Sequence, residues 1–305
     1  MRVFVTGATG LIGSKVCDRL IGRGDDVIGL TRSPEKAPRK SGLTWVGGDP
    51  THAGPWLDTI AGCDGVVHLA GENLFAKRWS PAFKRRCRDS RVISTDLIAR
   101  QLAQSPRRAD GSAKVLVNGS AIGFYPTSAE QTFDEDSPLG TSWLCDLSRD
   151  WEAATAPASQ AGVRVVMIRT GVVLDPAGGG LKPFLLPFKL FVGGPLGSGQ
   201  QWMSWIHATD IRELILWGLD TPTASGPYNG VSPNPVRNRD FCRTLGRVMK
   251  RPSWTWTPRF VLRIALGEVV AVICDSQKVA PKRTLAEGFH FHHPELEPAL
   301  RDLLG

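Results

Sequence analysis

Met1-Arg2-Val3-Phe4-Val5 opens the chain as a short apolar strand and runs at once into Thr6-Gly7-Ala8-Thr9-Gly10-Leu11-Ile12-Gly13. Residues 14–23 follow as an amphipathic helix. Strand, glycine loop and helix in this order describe a dinucleotide-binding turn. Gly7 permits the tight exit from the strand. Gly10 lets backbone amides approach a pyrophosphate, and Gly13 lets the helix pack closely on the strand. The helix N-terminus then offers unpaired N–H groups and the positive end of its dipole. Thr6, Gly7, Thr9, Gly10, Leu11, Ile12 and Gly13 are the expected cradle.

Outward from this loop, strands alternate with helices. Strands are expected at 26–31, 43–46, 65–71, 114–118, 164–174 and 228–232, and helices at 84–102, 145–159, 182–191, 211–219 and 239–249. The run Gly65-Val-Val-His-Leu-Ala-Gly71 is apolar enough for a parallel strand buried on both faces. The alternation predicts an α/β fold, a Rossmann-like doubly wound parallel sheet. Residues 1–235 form the dinucleotide-binding domain in this reading, with 176–205 contributing to the substrate side. Residues 236–305 form a small, mostly helical C-terminal domain on that side. Thr31-Arg32-Ser33 ends the second strand without an acid, and a guanidinium there favours a 2′-phosphate. The expected cofactor is therefore NADP(H), with Thr31 and Arg32 at its phosphate.

Composition excludes several classes. The chain has 305 residues and a net charge of +8. Its densest basic run, Lys84-Arg85-Arg86 with Arg88 and Arg91, has no aromatic interleaving, so nucleic acid is not an expected partner. No apolar stretch is long enough to span a bilayer, and no secretion leader is visible. Cys17, Cys63, Cys87, Cys145, Cys242 and Cys274 are scattered, which suits reduced thiols in a cytoplasm. No metal site is expected, and His290, His292 and His293 are read as a surface cluster.

The spacing T-G-x-x-G-x-x-G resembles the extended short-chain dehydrogenase/reductases (SDRs) and not the usual G-x-G-x-x-G dehydrogenase loop. The resemblance continues through Leu69-Ala70-Gly71-Glu72-Asn73, Arg78-Trp79, Ser90-Arg91, Trp151-Glu152, Arg169-Thr170-Gly171, Gly193-Gly194-Pro195, Trp205-Ile206-His207 and Lys278-Val279. These motifs cover nearly the whole chain. They are similar to an atypical group, the NAD(P)-dependent epimerase-family proteins with a C-terminal domain of unknown function. The resemblance implies that Asp49 meets the adenine and that Leu69, Ala70, Gly71 and Glu72 line the cofactor. Arg91 replaces the family's asparagine, and Arg169 reaches the cofactor or a nearby loop.

The family's Y-x-x-x-K pair is missing. The two tyrosines, Tyr125 and Tyr228, are followed four residues on by Ala129 and Ser232. Aligned on Glu152, the tyrosine and lysine places hold Leu144 and Ser148, which perform no acid–base work at neutral pH. Ser120 is the expected active-site hydroxyl, with Ala121 as the ungapped alternative. Tyr125 is the expected proton donor, or else a hydrogen-bonded pocket wall. His207 is expected to bond Asp210 or backbone, and Asp210 to begin or cap the helix 211–219. Gly178-Gly-Gly180 is read as a flexible connector and 131–142 as an active-site loop. Trp202 and Trp205 stack on substrate or build core. The expected function is that of an NADP(H)-dependent oxidoreductase or epimerase-like enzyme acting on a small-molecule carbonyl or sugar-type substrate. The alternative is a catalytically silent NADP(H)-binding scaffold, which the link of some relatives to cell or organelle division keeps open.

Overall fold

A computed structural model describes residues 1–305. The strands are β1 (Arg2–Thr6), β2 (Asp26–Thr31), β3 (Leu43–Gly47), β4 (Gly65–His68), β5 (Val115–Ala121), β6 (Thr132–Phe133) and β7 (Arg164–Thr170). They continue as β8 (Val172–Asp175), β9 (Gly178–Gly179), β10 (Trp202–Met203), β11 (Trp205–His207), β12 (Gly226–Gly230), β13 (Val236–Arg237) and β14 (Lys278–Val279). Seven of them build one sheet in the order β12-β7-β5-β4-β1-β2-β3, with every pairing parallel. The direction of winding reverses between β1 and β4, which is where open α/β sheets bind ligands.

Period-2 alternation makes this sheet doubly wound. Val3, Val5, Val27, Val67, Val117 and Val166 face one core, with the helices Leu11–Gly22 and Ala208–Asp220 packed on it. Phe4, Ile28, Val66, Leu116 and Val165 face a second core under the helices Trp56–Ala61 and Pro81–Gln104. The long helix Pro81–Gln104 begins where Ser80 Oγ accepts the Phe83 N–H at 3.2 Å, with proline at its first position. A third core joins Leu181 and Phe188 to Phe241, Leu245, Leu296 and Leu300, so the segment after β9 packs with the C-terminal helices. No helix is long and apolar enough to cross a membrane.

Several expectations are corrected. The helix expected over 145–159 is two, Trp143–Ala153 and Ala156–Gln160. Pro157 has no N–H to continue the ladder, and the Thr155 hydroxyl takes the Glu152 carbonyl at 2.7 Å. The strand expected over 164–174 is also two, because Gly171 turns the chain out of the central sheet. A Cβ at Gly171 would press into the Ser204 carbonyl. β8 then pairs with β11 and β9 in a small separate sheet. Gly178 and Gly179 thus form the second strand of a hairpin, beside the Leu11 side chain, and not a flexible connector. The loop 131–142 contributes β6, which pairs in parallel with β14 of the tail.

Candidate functional site

The glycine loop has the geometry its spacing implies. Gly7 adopts φ +67°, and a Cβ there would stand 2.8 Å from the Leu69 backbone. Gly10 N–H donates to the Gly7 carbonyl at 2.8 Å, closing the turn. A Cβ at Gly13 would collide with the Gly7 carbonyl oxygen, so the helix lies as close to the loop as backbone allows. No side chain caps the helix Leu11–Gly22, whose first loop bond runs from Ser14 N–H to the Gly10 carbonyl. The amides of Leu11, Ile12 and Gly13 therefore remain available to an anion. Lys15 pairs with buried Asp175 at 3.0 Å and ties the hairpin tip to this helix.

Thr6 differs from its expected role. It is fully buried, and its hydroxyl accepts the N–H groups of Leu69 and Ala70, both at 3.2 Å. Its proton then goes to His68 Nδ1 at 2.6 Å, and His68 Nε2–H donates to Ser94 Oγ at 2.9 Å. Thr6 is a clasp between the exits of β1 and β4, and touches no ligand surface. The sequence reading missed His68, hidden inside an apolar strand. Burial, with Arg91 beside it, pushes the His68 imidazole down to about 3.

His207 stands on a second clasp. Thr209 N–H donates to its Nδ1 at 3.1 Å, so His207 and not Asp210 caps the helix Ala208–Asp220. The Asp210 carboxylate instead accepts the N–H groups of His292 and His293 at 2.8 and 3.0 Å. His207, His293 and Asp302 bring three metal-type donor atoms within 4.8 Å of one another. Because His207 Nδ1 accepts a hydrogen bond, the neutral ring keeps its proton on Nε2 and offers a metal no lone pair there. Burial and then His293 push His207 down to about 4. Both folded pKa values lie below the unfolded one, so the unfolded chain binds more protons as pH falls below 6.5. Urea unfolding between pH 7 and pH 5 is expected to show stability falling with pH, and His68→Gln is expected to flatten that slope by up to one proton.

At the β2 exit, Arg32 is exposed and Thr31 Oγ accepts the Ser33 N–H at 3.3 Å. Asp49 Oδ1 accepts the Thr51 N–H and hydroxyl at 2.9 and 2.7 Å, which hold its carboxyl below the usual range. At the β4 exit, Ser90 Oγ accepts the Glu72 N–H at 2.9 Å. Arg91 donates to the carbonyls of Glu72 and Cys87, both at 3.0 Å, and lies against Gly71. Its guanidinium has no carboxylate partner, and burial pulls its pKa below the usual arginine range.

The β5 exit carries a buried polar chain. Ser120 Oγ donates to Glu152 Oε1 at 2.6 Å. Arg169, opposite Ser120 in register, binds Glu152 through Nε at 2.8 Å and Nη2 at 2.9 Å. Arg169 Nη1 donates to the Tyr125 hydroxyl at 2.9 Å, and that hydroxyl donates to Asn229 Oδ1 at 2.7 Å. Asn229 N–H continues to Glu135, which also accepts Arg283 N–H. The chain thus links the sheet to the tail. Burial opposes the Arg169 charge, but the bonds to Glu152 outweigh it and raise its pKa. Tyr125 is 1 % exposed, and burial pushes its phenol up to about 12. Tyr125 is thus the hydrogen-bonded wall, the alternative expectation for it, and Arg169 holds Glu152 and Tyr125 and also reaches the Glu135 carbonyl of the 131–142 loop. Leu144 and Ser148 face Gly123, just past Ser120. Trp205 is core, and Trp202 lies between Arg237 and Lys278. All six cysteines are free and buried.

A sequence model of the NAD dependent epimerase/dehydratase family matches residues 3–231, and a domain of unknown function, DUF1731, matches 257–303. The chain is 41 % identical to the chloroplastic epimerase family protein SDR39U1 homolog of Arabidopsis thaliana, over all of this chain and 87 % of the relative. An epimerase family protein of Staphylococcus haemolyticus is 38 % identical over 98 % of both chains. The human epimerase family protein SDR39U1, solved with NADPH, superposes with a TM-score of 0.86 at 32 % identity, covering 99 % of both chains. With its NAD(P)-binding Rossmann sheet and its C-terminal domain of unknown function, the chain belongs to the NAD dependent epimerase/dehydratase family.

Proposed function

We propose that the chain binds NADP(H) across the β1–β4 switch point and acts as an oxidoreductase or epimerase-like enzyme on a small carbonyl or sugar-type substrate. The observation that carries this reading is the intact glycine turn, with three helix-terminal amides left open to a pyrophosphate. Arg32 stands at the end of β2 where an adenosine 2′-phosphate belongs, and the human relative was solved with NADPH. Arg32→Ala is expected to weaken NADPH binding about tenfold while leaving NADH within about twofold. Fluorescence titration of both cofactors checks this, and equal affinities in the parent protein would sink the phosphate assignment.

When bound, the cofactor supplies hydride chemistry. The protein's part is to orient the partners and manage one proton. Ser120 Oγ is hydrogen-bonded to Glu152, whose position Arg169 fixes from two nitrogens. In this reading Ser120 takes a proton from a substrate hydroxyl as its own passes to Glu152, and the reverse transfer serves a carbonyl. Ser120→Ala is expected to lower turnover about 100-fold with NADPH affinity unchanged. Leu144 and Ser148 at the usual tyrosine and lysine places favour one rival, a cofactor-binding protein without turnover. NADPH binding without oxidation by any sugar, aldehyde or quinone would support the rival.

A further inference from the structure

A second polar site lies at the C-terminal end of the helix Asn238–Met249. An open hollow of about 470 Å3 is lined by Arg243, Gly246, Arg247, Lys250, Arg251 and Ser253. Four of the six carry positive charge and none is acidic. Arg243 approaches Asp240 at 3.5 Å, and Arg247 pairs with Glu297 at 2.9 Å. Arg251 hydrogen-bonds only the Lys250 carbonyl, at 3.0 Å, and its guanidinium lies over the Phe191 ring at 4.5 Å. Neither Lys250 nor Arg251 has a carboxylate partner. Arg251 Nε and Ser253 Oγ are buried polar atoms with no hydrogen-bond partner, a state that costs free energy.

The backbone is strained at the same place. Phe191, with φ +63°, and Lys250, with φ +54°, are the two non-glycine residues of the chain in the left-handed region. That conformation is costly for a residue with a side chain, and glycine is the usual occupant of a helix end of this shape. The helix dipole attracts cations to its C-terminus. It does not require a lysine in place of glycine, and it leaves Arg251 Nε and Ser253 Oγ unpaired.

We propose that this hollow is a second anion site, separate from the glycine loop, which receives the phosphate or diphosphate group of a small-molecule ester. Phosphate oxygens accept the forked donors of Arg247 and Arg251 and neutralise the unpaired Lys250. Trp254 is 71 % exposed and bonded through its indole N–H to the Phe191 carbonyl at 2.8 Å. It gives the remainder of the ester an aromatic surface.

The test is calorimetric titration of the full chain with inorganic pyrophosphate, in the presence of saturating NADPH. One equivalent is expected to bind, and Arg251→Ala to weaken that binding about tenfold or more. Lys250→Gly is expected to weaken it too, while raising Tm by about 2 °C through relief of the left-handed strain. That variant separates loss of the site from loss of the fold. Absence of binding at millimolar pyrophosphate overturns the proposal, as does unchanged affinity in both variants. Binding that disappears when NADPH is added also overturns it, because the pyrophosphate then occupies the glycine loop.

Discussion

Gly13→Ala is expected to weaken NADPH binding by at least about 100-fold, roughly 2.7 kcal/mol. The new methyl would press into the Gly7 carbonyl oxygen and the Ala8 backbone, and neither is the end of a flexible side chain. The helix must therefore move away from the loop, and its three open amides move with it. The loss should appear in titrations of NADPH and NADH alike, which distinguishes it from the Arg32 effect. A cost in folding of about 1–3 kcal/mol should accompany it. Gly22, on the same helix, has open space where a Cβ would project. Gly22→Ala should therefore leave affinity unchanged and stabilise slightly. Equal behaviour of the two variants would show that close helix–loop packing does not set the cofactor site.

Glu152→Ala is expected to cost about 3–5 kcal/mol of stability, because it leaves the buried Arg169 guanidinium without its carboxylate. The Arg169 side chain is 5 % exposed and its three nitrogens are all engaged with Glu152, Tyr125 and Glu135. Arg169→Met alone should be of similar size, since Glu152 and the Tyr125 hydroxyl both lose a donor. The double variant should cost much less than the sum of the two, and denaturant unfolding of all four proteins measures that coupling. Simple additivity would mean that the pair contributes nothing beyond its separate contacts. The cycle also bears on catalysis, because Ser120 rests on the carboxylate that Arg169 positions.

Much of the nucleotide-binding half is legible in the chain itself. Glycines at 7, 10 and 13 between an apolar strand and an amphipathic helix leave few other folds, and the structure places Gly7 and Gly13 where a side chain would collide or twist the backbone, with Gly10 in tight contact with the Gly7 carbonyl. The alternation of strands and helices through residue 230 follows from local periodicity. Legibility ends where a residue's role depends on partners remote in sequence. Thr6 reads as part of the loop, yet its hydroxyl is fixed by His68, Leu69 and Ala70, more than sixty residues away. Tyr125 reads as a proton donor or a pocket wall, and only Asn229, 104 residues on, decides between them by accepting its hydrogen bond. Strands of two residues, such as β6 and β14, carry no period of their own and exist only through pairing with each other.

By itself, the sequence determined the dinucleotide turn, the doubly wound sheet and the absence of the usual tyrosine–lysine pair, because each is written in neighbouring residues and backbone sterics. Only the tertiary structure decided which polar side chains remain open and which are sealed. It closed Thr6, Tyr125 and Arg169 into buried networks, set Ser120 on Glu152, and left the amides of the glycine loop open and Lys250 and Arg251 without a carboxylate partner. The physical reason is that a buried polar group must find a partner, and the fold, not the local sequence, determines which partners lie within reach.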